Sequence, residues 1–356
     1  MSDPRSVSPS GRPRARALGV AFDGETGAFN AITDVPGVEV GYRTLIEGEA
    51  CRTGVTVILP RGKTHEVQPT WAGMHSFNGN GEMTGSHWVR EAGHFTGPVS
   101  ITNTNAVGAA HEGVLRWLVA QHPVEPDAVR WFLPVVAETW DGQLNDIEAF
   151  AVRPHHVAEA IAAATSGPIG EGNLGGGTGM CCYGFKGGSG TSSRRVPDSD
   201  WTVGVFVQAN FGRRPELMVR GAPLGRLSEQ VEREAESAAS GFGSIIVVLA
   251  TDAPTHSRQL EGLARRATMG VARTGASGSH GSGDIFMAFS TAAFSAQSTV
   301  GDERLSSFFS CAADAVEEAI LNVLVGAETM TGYLGRRVEA IDHDFIRSSM
   351  AAWRLA

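Results

Sequence analysis

Gly241-Phe242-Gly243-Ser244-Ile245-Ile246-Val247-Val248-Leu249-Ala250 is the stretch on which the fold turns. Every residue from Ile245 to Ala250 is apolar, and most are β-branched, so the run reads as a strand. A strand with one wet face would alternate apolar and polar residues. A continuous apolar run implies burial on both faces. Such a strand needs a layer above it and a layer below it, which is a layered α/β architecture. The segment before it, residues 221–243, is charged and then small and glycine-rich, and reads as an exposed linker. A linker that ends directly on the most buried strand of a chain is unusual.

The flanking sequence keeps the same style. Residues 53–60 and 97–103 read as strands, the first stopped by Pro60. Val107, Ala110, Val114, Leu118 and Gln121 fall at helical spacing over 107–121. Residues 131–138 form an apolar strand ending in Glu138, and Pro154 suits the first turn of a helix running to Ala164. Residues 201–209 alternate like a strand. Leu260, Leu263, Ala264, Ala267 and Val271 mark a helix, residues 285–291 a strand and residues 302–325 a long apolar helix. Strands grouped with flanking helices predict sheets lying between helix layers. No internal repeat is present.

Composition bounds the function. The 356 residues suggest two domains on length alone. The net charge of −9 argues against a nucleic-acid or anionic-membrane partner, either of which favours a basic face. No 18-residue apolar run offers a membrane span. Residues 1–17 carry three prolines and four arginines without a signal-peptide core, and their composition predicts a disordered tail. Four cysteines without a C-x-x-C spacing argue against a zinc site or a disulfide scaffold and fit a reducing, cytoplasmic compartment. Only Lys63 and Lys186 are available for Schiff-base chemistry. The 45 glycines are about twice the usual share, and ten of them crowd into 170–190. Without a collagen period they must serve turns and close backbone approach.

Familiar signatures are absent. Gly62-Lys63-Thr64 lacks the earlier glycine of a phosphate loop, since Val57 stands there. The glycines of 172–179 do not fit a dinucleotide fingerprint. No serine lies in a G-x-S-x-G elbow, and no H-E-x-x-H occurs.

The junction at Gly243-Ser244 is more suggestive. On its own, Gly-Ser is an ordinary way to enter a strand. The sharper reading is self-cleavage, with the Ser244 hydroxyl attacking the Gly243 carbonyl. Glycine, having no Cβ, leaves room for that attack. Cleavage would give Ser244 a free α-amine titrating near pH 8, a general base that needs no histidine. Ser282 and Asp284, at i and i+2, share one face if extended, as a polar network beside the serine would require. Otherwise they belong to a plain Gly/Ser turn. His280 invites comparison with a Ser-His-Asp triad, but a triad is defined by geometry. Asn210, at the end of its strand, is a candidate oxyanion donor or simply a turn residue before Gly212.

These residues, taken together and in order, resemble the DmpA and β-peptidyl aminopeptidase family of self-cleaving N-terminal-serine hydrolases. The resemblance runs from Asn30-Ala31-Ile32-Thr33-Asp34-Val35-Pro36-Gly37-Val38 through Glu138-Thr139-Trp140-Asp141-Gly142 and Gly175-Gly176-Gly177-Thr178-Gly179-Met180. It continues through Lys186-Gly187-Gly188-Ser189-Gly190-Thr191-Ser192-Ser193 to Gly243-Ser244-Ile245-Ile246 and His280-Gly281-Ser282-Gly283-Asp284. It implies a four-layer αββα sandwich, one domain over 18–356, cut into an α-chain of 1–243 and a β-chain of 244–356. It implies that Ser244 is the nucleophile, that Ser282 and Asp284 polarise and orient it, and that the Asn210 side chain donates to the oxyanion. Some members carry glutamate in place of Asp284 and tyrosine in place of Trp140. Tryptophan is more like the β-aminopeptidase branch.

An aminopeptidase must bind an ammonium group, so a carboxylate is expected nearby. Glu138 is the first candidate and Asp141 the second, with Trp140 as an aromatic wall over the amino end. The expectation is a serine aminopeptidase acting on short peptides, amides or esters, including β-amino acid peptides. No metal or organic cofactor is implied, and the family suggests a homo-oligomer of αβ units. The alternatives are an L-aminopeptidase/D-alanyl esterase-amidase, an aminoacyl transferase, or a non-enzymatic ligand-binding protein.

Overall fold

The computed structural model describes residues 3–63, 68–122, 129–228, 242–295 and 300–355. Its main strands are β1 (Glu39–Glu47), β2 (Cys51–Leu59), β3 (Pro69–Ser76), β4 (His94–Thr96), β5 (Val99–Asn103) and β6 (Val135–Thr139). They continue as β7 (Cys181–Cys182), β8 (Phe185–Lys186), β9 (Gly188–Arg195), β10 (Thr202–Asn210), β11 (Phe242–Thr251) and β12 (Gly281–Ser290), followed by the short β13 (Met330–Thr331) and β14 (Arg337–Val338). The helices are α1 (Ser86–Ala92), α2 (Val107–Gln121), α3 (Pro154–Ala162), α4 (Leu224–Leu227), α5 (Ser257–Arg273), α6 (Leu305–Gly326) and α7 (His343–Leu355).

The apolar run after Ser244 is explained by alternation along β11. Ile245, Val247 and Leu249 join one buried cluster with Leu260, Leu263 and Ala267 of α5 and Val316, Ala319 and Ile320 of α6. Ile246, Val248 and Ala250 join a second, with Ile58, Val99, Ile101 and Ala137 of the opposing sheet. Side chains on each face are fully buried, and each is worth about 1.5–3 kcal/mol relative to exposure. A third cluster sets Val55, Val57 and Val136 against Ala110, Val114 and Leu118 of α2 and Val157, Ala160 and Ile161 of α3.

Three stacked clusters require four layers. Helices α2 and α3 cover a four-stranded sheet of order β1-β2-β5-β6. That sheet faces a six-stranded sheet of order β4-β3-β12-β11-β10-β9, and α5 and α6 cover the far side. Two neighbouring pairs, β5-β6 and β11-β12, are parallel, and the others are antiparallel. The αββα sandwich is therefore present. None of the described helices is long and apolar enough to cross a membrane.

Some expectations shift. The helix over 107–121 has the expected bounds, whereas the strand expected over 131–138 covers only Val135–Thr139. Strand β9 emerges from the glycine-rich stretch, where composition hid it. Gly190 leaves no room for a Cβ, which would lie 2.3 Å from the Ala319 carbonyl of α6. The linker expected over 221–243 contains α4, and residues 229–241, including Gly241, lie outside the described residues.

The tail also needs correcting. Composition predicted disorder over 1–17, yet residues 3–17 are packed onto the body. Arg14 is 3% exposed; its Nε and one terminal nitrogen donate to the two oxygens of Glu171 at 2.8 and 3.0 Å. The same guanidinium reaches the carbonyls of Phe29, Asn30 and Thr191. Arg16 donates to Glu318 on α6 at 2.6 Å. The counter-charges sit over 150 positions away, so local composition carries no trace of them.

Candidate active site

Ser244 is the third residue of β11 and is 3% exposed. It has the parity of Ile246 and Val248, so its side chain points between the two sheets. There its Oγ accepts a hydrogen bond from the Trp140 backbone N–H at 3.2 Å. Trp140 is the first residue past β6, so its N–H is free of the ladder and faces across the sandwich.

Asn210 is paired directly opposite Ser244 in the antiparallel β10-β11 ladder, and such pairs share a face. Its Oδ1 accepts the Cys181 backbone N–H at 2.9 Å. With the oxygen committed, Nδ2 is the end left to donate. The Trp140 N–H thus reaches Ser244 Oγ, and the Asn210 side chain shares the face from which Oγ projects. Asn210 was a candidate from the sequence; the Trp140 main chain was not, because a backbone donor has no sequence signature.

Ser282 donates to Asp284 Oδ1 at 2.6 Å, so the i and i+2 pair does meet. The pair sits differently from the simplest expectation. Ser282 and Asp284 take the parity of Phe286 and Ala288, which face the helices rather than the opposing sheet. In the parallel β11-β12 register, Gly243 pairs with Ser282 and Ile245 with Asp284. The pair therefore flanks the main chain of Gly243–Ser244–Ile245, on the other face from Ser244 Oγ. Burial raises the Asp284 pKa, while the Ser282 hydroxyl, the Ile245 N–H and the Asn78 amide favour its ionised form. Asn78 Nδ2 reaches Asp284 Oδ2 at 2.8 Å. His280 is exposed, and both Asp284 oxygens are occupied by Ser282 and Asn78, so no Ser-His-Asp triad forms here.

Gly243 lies in extended strand, and its glycine identity reflects clearance rather than a left-handed backbone. A Cβ there would stand 3.1 Å from both the Asn210 carbonyl and Phe211 Cα.

Glu138 is 3% exposed at the end of β6. Burial pushes its pKa up, against the opposing effect of the Thr104 hydroxyl and the Glu82 N–H, both of which donate to it. Gly81 separates it from β12: a Cβ on Gly81 would be 3.1 Å from Gly283 Cα and 3.3 Å from Glu138 Oε1. Gly283 is the lateral partner of Ser244, so Glu138 borders the nucleophile's surroundings. The Trp140 ring is 47% exposed and packs over Gly142, forming a wall at the same end. Asp141, the second candidate, is wholly buried, and its Oδ1 holds Asn145 at 3.1 Å. Burial raises its pKa to about 7. It braces the loop beyond β6.

Lys186 belongs to the supporting shell. It is fully buried, and Nζ donates to the carbonyls of Met180 at 2.8 Å and Gly187 at 2.9 Å. Burial lowers its pKa to about 8. It pins the peptide whose next N–H, that of Cys181, orients Asn210.

Comparison with known proteins agrees with this fold. The sequence pattern of peptidase family S58 matches residues 30–338. The chain is 49% identical over 372 aligned positions to the beta-peptidyl aminopeptidase BapA of Sphingosinicella microcystinivorans, covering 96% of this chain and 93% of that one. The solved L-aminopeptidase D-Ala-esterase/amidase of Ochrobactrum anthropi, described as a prototype serine aminopeptidase and a variant of the Ntn hydrolase fold, superposes with a TM-score of 0.90 at 46% identity. That match covers 97% of this chain and 100% of the other. A Burkholderia sp. beta-aminopeptidase superposes with a TM-score of 0.86 at 43% identity, covering 95% and 98%. The chain belongs to peptidase family S58 and is a peptide-bond hydrolase with the Ntn hydrolase fold.

Proposed function

We propose that the chain cleaves itself between Gly243 and Ser244 and then acts as a serine aminopeptidase on short peptides, amides or esters, including β-amino acid peptides. The observation that carries this reading is the setting of Ser244. Its Oγ meets the Trp140 N–H opposite Asn210, while Ser282 and Asp284 flank the main chain at the bond to be cut.

In self-cleavage, Ser244 Oγ attacks the Gly243 carbonyl carbon, the C–N bond breaks, and the nitrogen takes up the hydroxyl proton. Water then hydrolyses the resulting ester. The products are a Gly243 carboxylate and a Ser244 with a free α-amine. That amine, neutral in part near pH 8, removes the Oγ proton when a substrate carbonyl arrives. Asp284 and Ser282 adjoin this nitrogen, and their role is to hold and polarise it. The Trp140 N–H and Asn210 Nδ2 receive the oxyanion. The leaving amine takes the proton, and water releases the acyl group from Ser244. Glu138 binds the substrate ammonium, with the Trp140 ring over it.

The β-amino acid preference rests on the likeness to BapA and on Trp140, and the Ochrobactrum likeness supports the alternative of L-amino acid and D-alanyl substrates. The substrate is a small molecule, no nucleic acid or membrane partner is proposed, and the αβ units are proposed to form a homo-oligomer. A cytoplasmic location rests on the four free thiols.

The test is a denaturing gel with parallel assays. Purified protein should give two bands dividing 37.5 kDa about two to one, and Ser244→Ala should give one inactive band. β-alanyl, L-α-aminoacyl and D-alanyl amides then separate the substrate classes. An intact, peptidase-free wild-type chain would overturn the proposal.

A further inference from the structure

The acidic partner of the site has a neighbour that no motif pointed to. Asn78 follows β3 in the turn 77–82. Its Nδ2 donates to Asp284 Oδ2 at 2.8 Å and to the Ser279 carbonyl at 3.1 Å. Both partners are oxygens that accept, which settles the amide orientation. Asp284 therefore takes a side-chain donor on each oxygen, Ser282 on Oδ1 and Asn78 on Oδ2, in addition to the Ile245 N–H. A carboxylate held at both oxygens cannot rotate about its terminal bond.

We propose that Asn78 is a positioning residue that keeps the Asp284 carboxyl in register with Ser282 and the Ser244 nitrogen. The inference rests on the catalytic reading of Asp284. The turn's own anchoring does not need the Asn78 side chain. The Phe77 N–H donates to the Asp284 carbonyl at 2.9 Å, the Ser76 hydroxyl to the Asn78 carbonyl at 2.8 Å, and Asn80 Nδ2 to the Gly281 carbonyl at 2.7 Å. Loss of the amide should thus leave the turn in place and remove one donor from the carboxylate.

The titratable groups around Asp284 are few. His280 lies in the preceding turn, His75 on β3, Glu82 in the 77–82 turn, and Glu138 beyond Gly81, while cleavage adds the Ser244 α-amine from β11. The influences on the carboxyl are burial, Ser282, the Ile245 N–H and Asn78, with no charged side chain among them in the described residues. Burial already raises its pKa, so losing a donor raises it further. The carboxyl then protonates at higher pH, and its own acid-side step in the activity profile, distinct from the step set by the Ser244 α-amine, moves up.

The experiment measures kcat and KM against pH on processed enzyme for Asn78→Ala and for Asn78→Leu, which keeps most of the volume without a donor. Asn80→Ala, which removes a hydrogen bond from the same turn to the same strand, is the control. The acid-side step that belongs to the carboxyl should rise by about one unit in both Asn78 variants, while the step of the α-amine stays in place; kcat falls about tenfold below the moved step, with KM within about twofold. Asn80→Ala should keep the wild-type step. An unmoved carboxyl step in both Asn78 variants, or an equal shift in Asn80→Ala, overturns the proposal. Asp284→Asn separates the two levels. If it retains wild-type kcat, the catalytic reading of Asp284 fails. If it is inactive while the Asn78 variants keep the wild-type step, only the positioning role fails.

Discussion

Ser244 and Asp284 occupy neighbouring parallel strands, yet their side chains leave the sheet on opposite faces. The hydroxyl points between the sheets toward Trp140. The carboxyl belongs to the helix-facing side, beside the backbone of Gly243 and Ile245. In the mechanism proposed above, the two faces divide the labour: bond making and oxyanion binding fall to the inter-sheet face, and control of the terminal nitrogen to the other.

Asn210→Ala should lower kcat by about 10²–10³ with little change in KM, because the lost donor acts on charge that develops only in the transition state. Asn210→Asp, which keeps the shape and the Cys181 contact but removes the donor, should behave alike. A variant whose loss appeared mainly in KM would remove Asn210 from the oxyanion site. Steady-state kinetics on processed enzyme decides it.

Glu138 has its pKa raised by burial, so its carboxylate neutralises earlier on acidification than an ordinary glutamate. Ammonium binding needs the ionised form, so KM for free-amino substrates should climb as pH falls through that raised pKa. Glu138→Gln should show high KM at every pH and lose this dependence. Equal KM for Glu138→Gln and wild type would assign ammonium binding elsewhere.

Asp141 has a folded pKa of about 7, above its ordinary 3.8. Between those values the folded chain binds more protons than the unfolded one, so stability falls as pH rises through the window. One carboxylate oxygen, Oδ2, is buried without a hydrogen-bond partner, consistent with a cost to ionisation. The melting temperature of the wild type should decline from pH 5 to 8 more steeply than that of Asp141→Asn. Parallel melting curves against pH for the two proteins would refute the assignment.

Arg14→Ala should destabilise the chain by about 3–5 kcal/mol, because it leaves the buried Glu171 carboxylate without its cation. Arg14→Ala combined with Glu171→Gln should recover part of that loss. A disordered tail would make both changes neutral. Chemical denaturation of the single and double variants measures the difference.

Much of this architecture follows from local pattern. The six apolar residues after Ser244 demand burial on two faces, and the structure provides a helix layer and a sheet. The helix of 107–121 is set by its own spacing. Ser282 and Asp284 meet because a strand repeats every two residues. Strand β9 was hidden because its glycines are dictated by close backbone approach, Gly190 by α6 and Gly188 by Gly172, not by strand propensity.

The sequence by itself therefore determined which apolar faces are buried, which strand is central and which serine stands at the junction. These are properties of neighbours along the chain, encoded in periodicity and in the missing Cβ of Gly243. Only the tertiary structure decided which groups meet Ser244 and its acidic partner. The Trp140 N–H lies 104 positions from Ser244, and the Asn78 amide 206 from Asp284. Arg14 finds Glu171 157 positions away. A backbone donor looks alike at every residue, and a single amide or guanidinium carries no period. Their roles arise only when the layers stack and bring distant segments within hydrogen-bond reach.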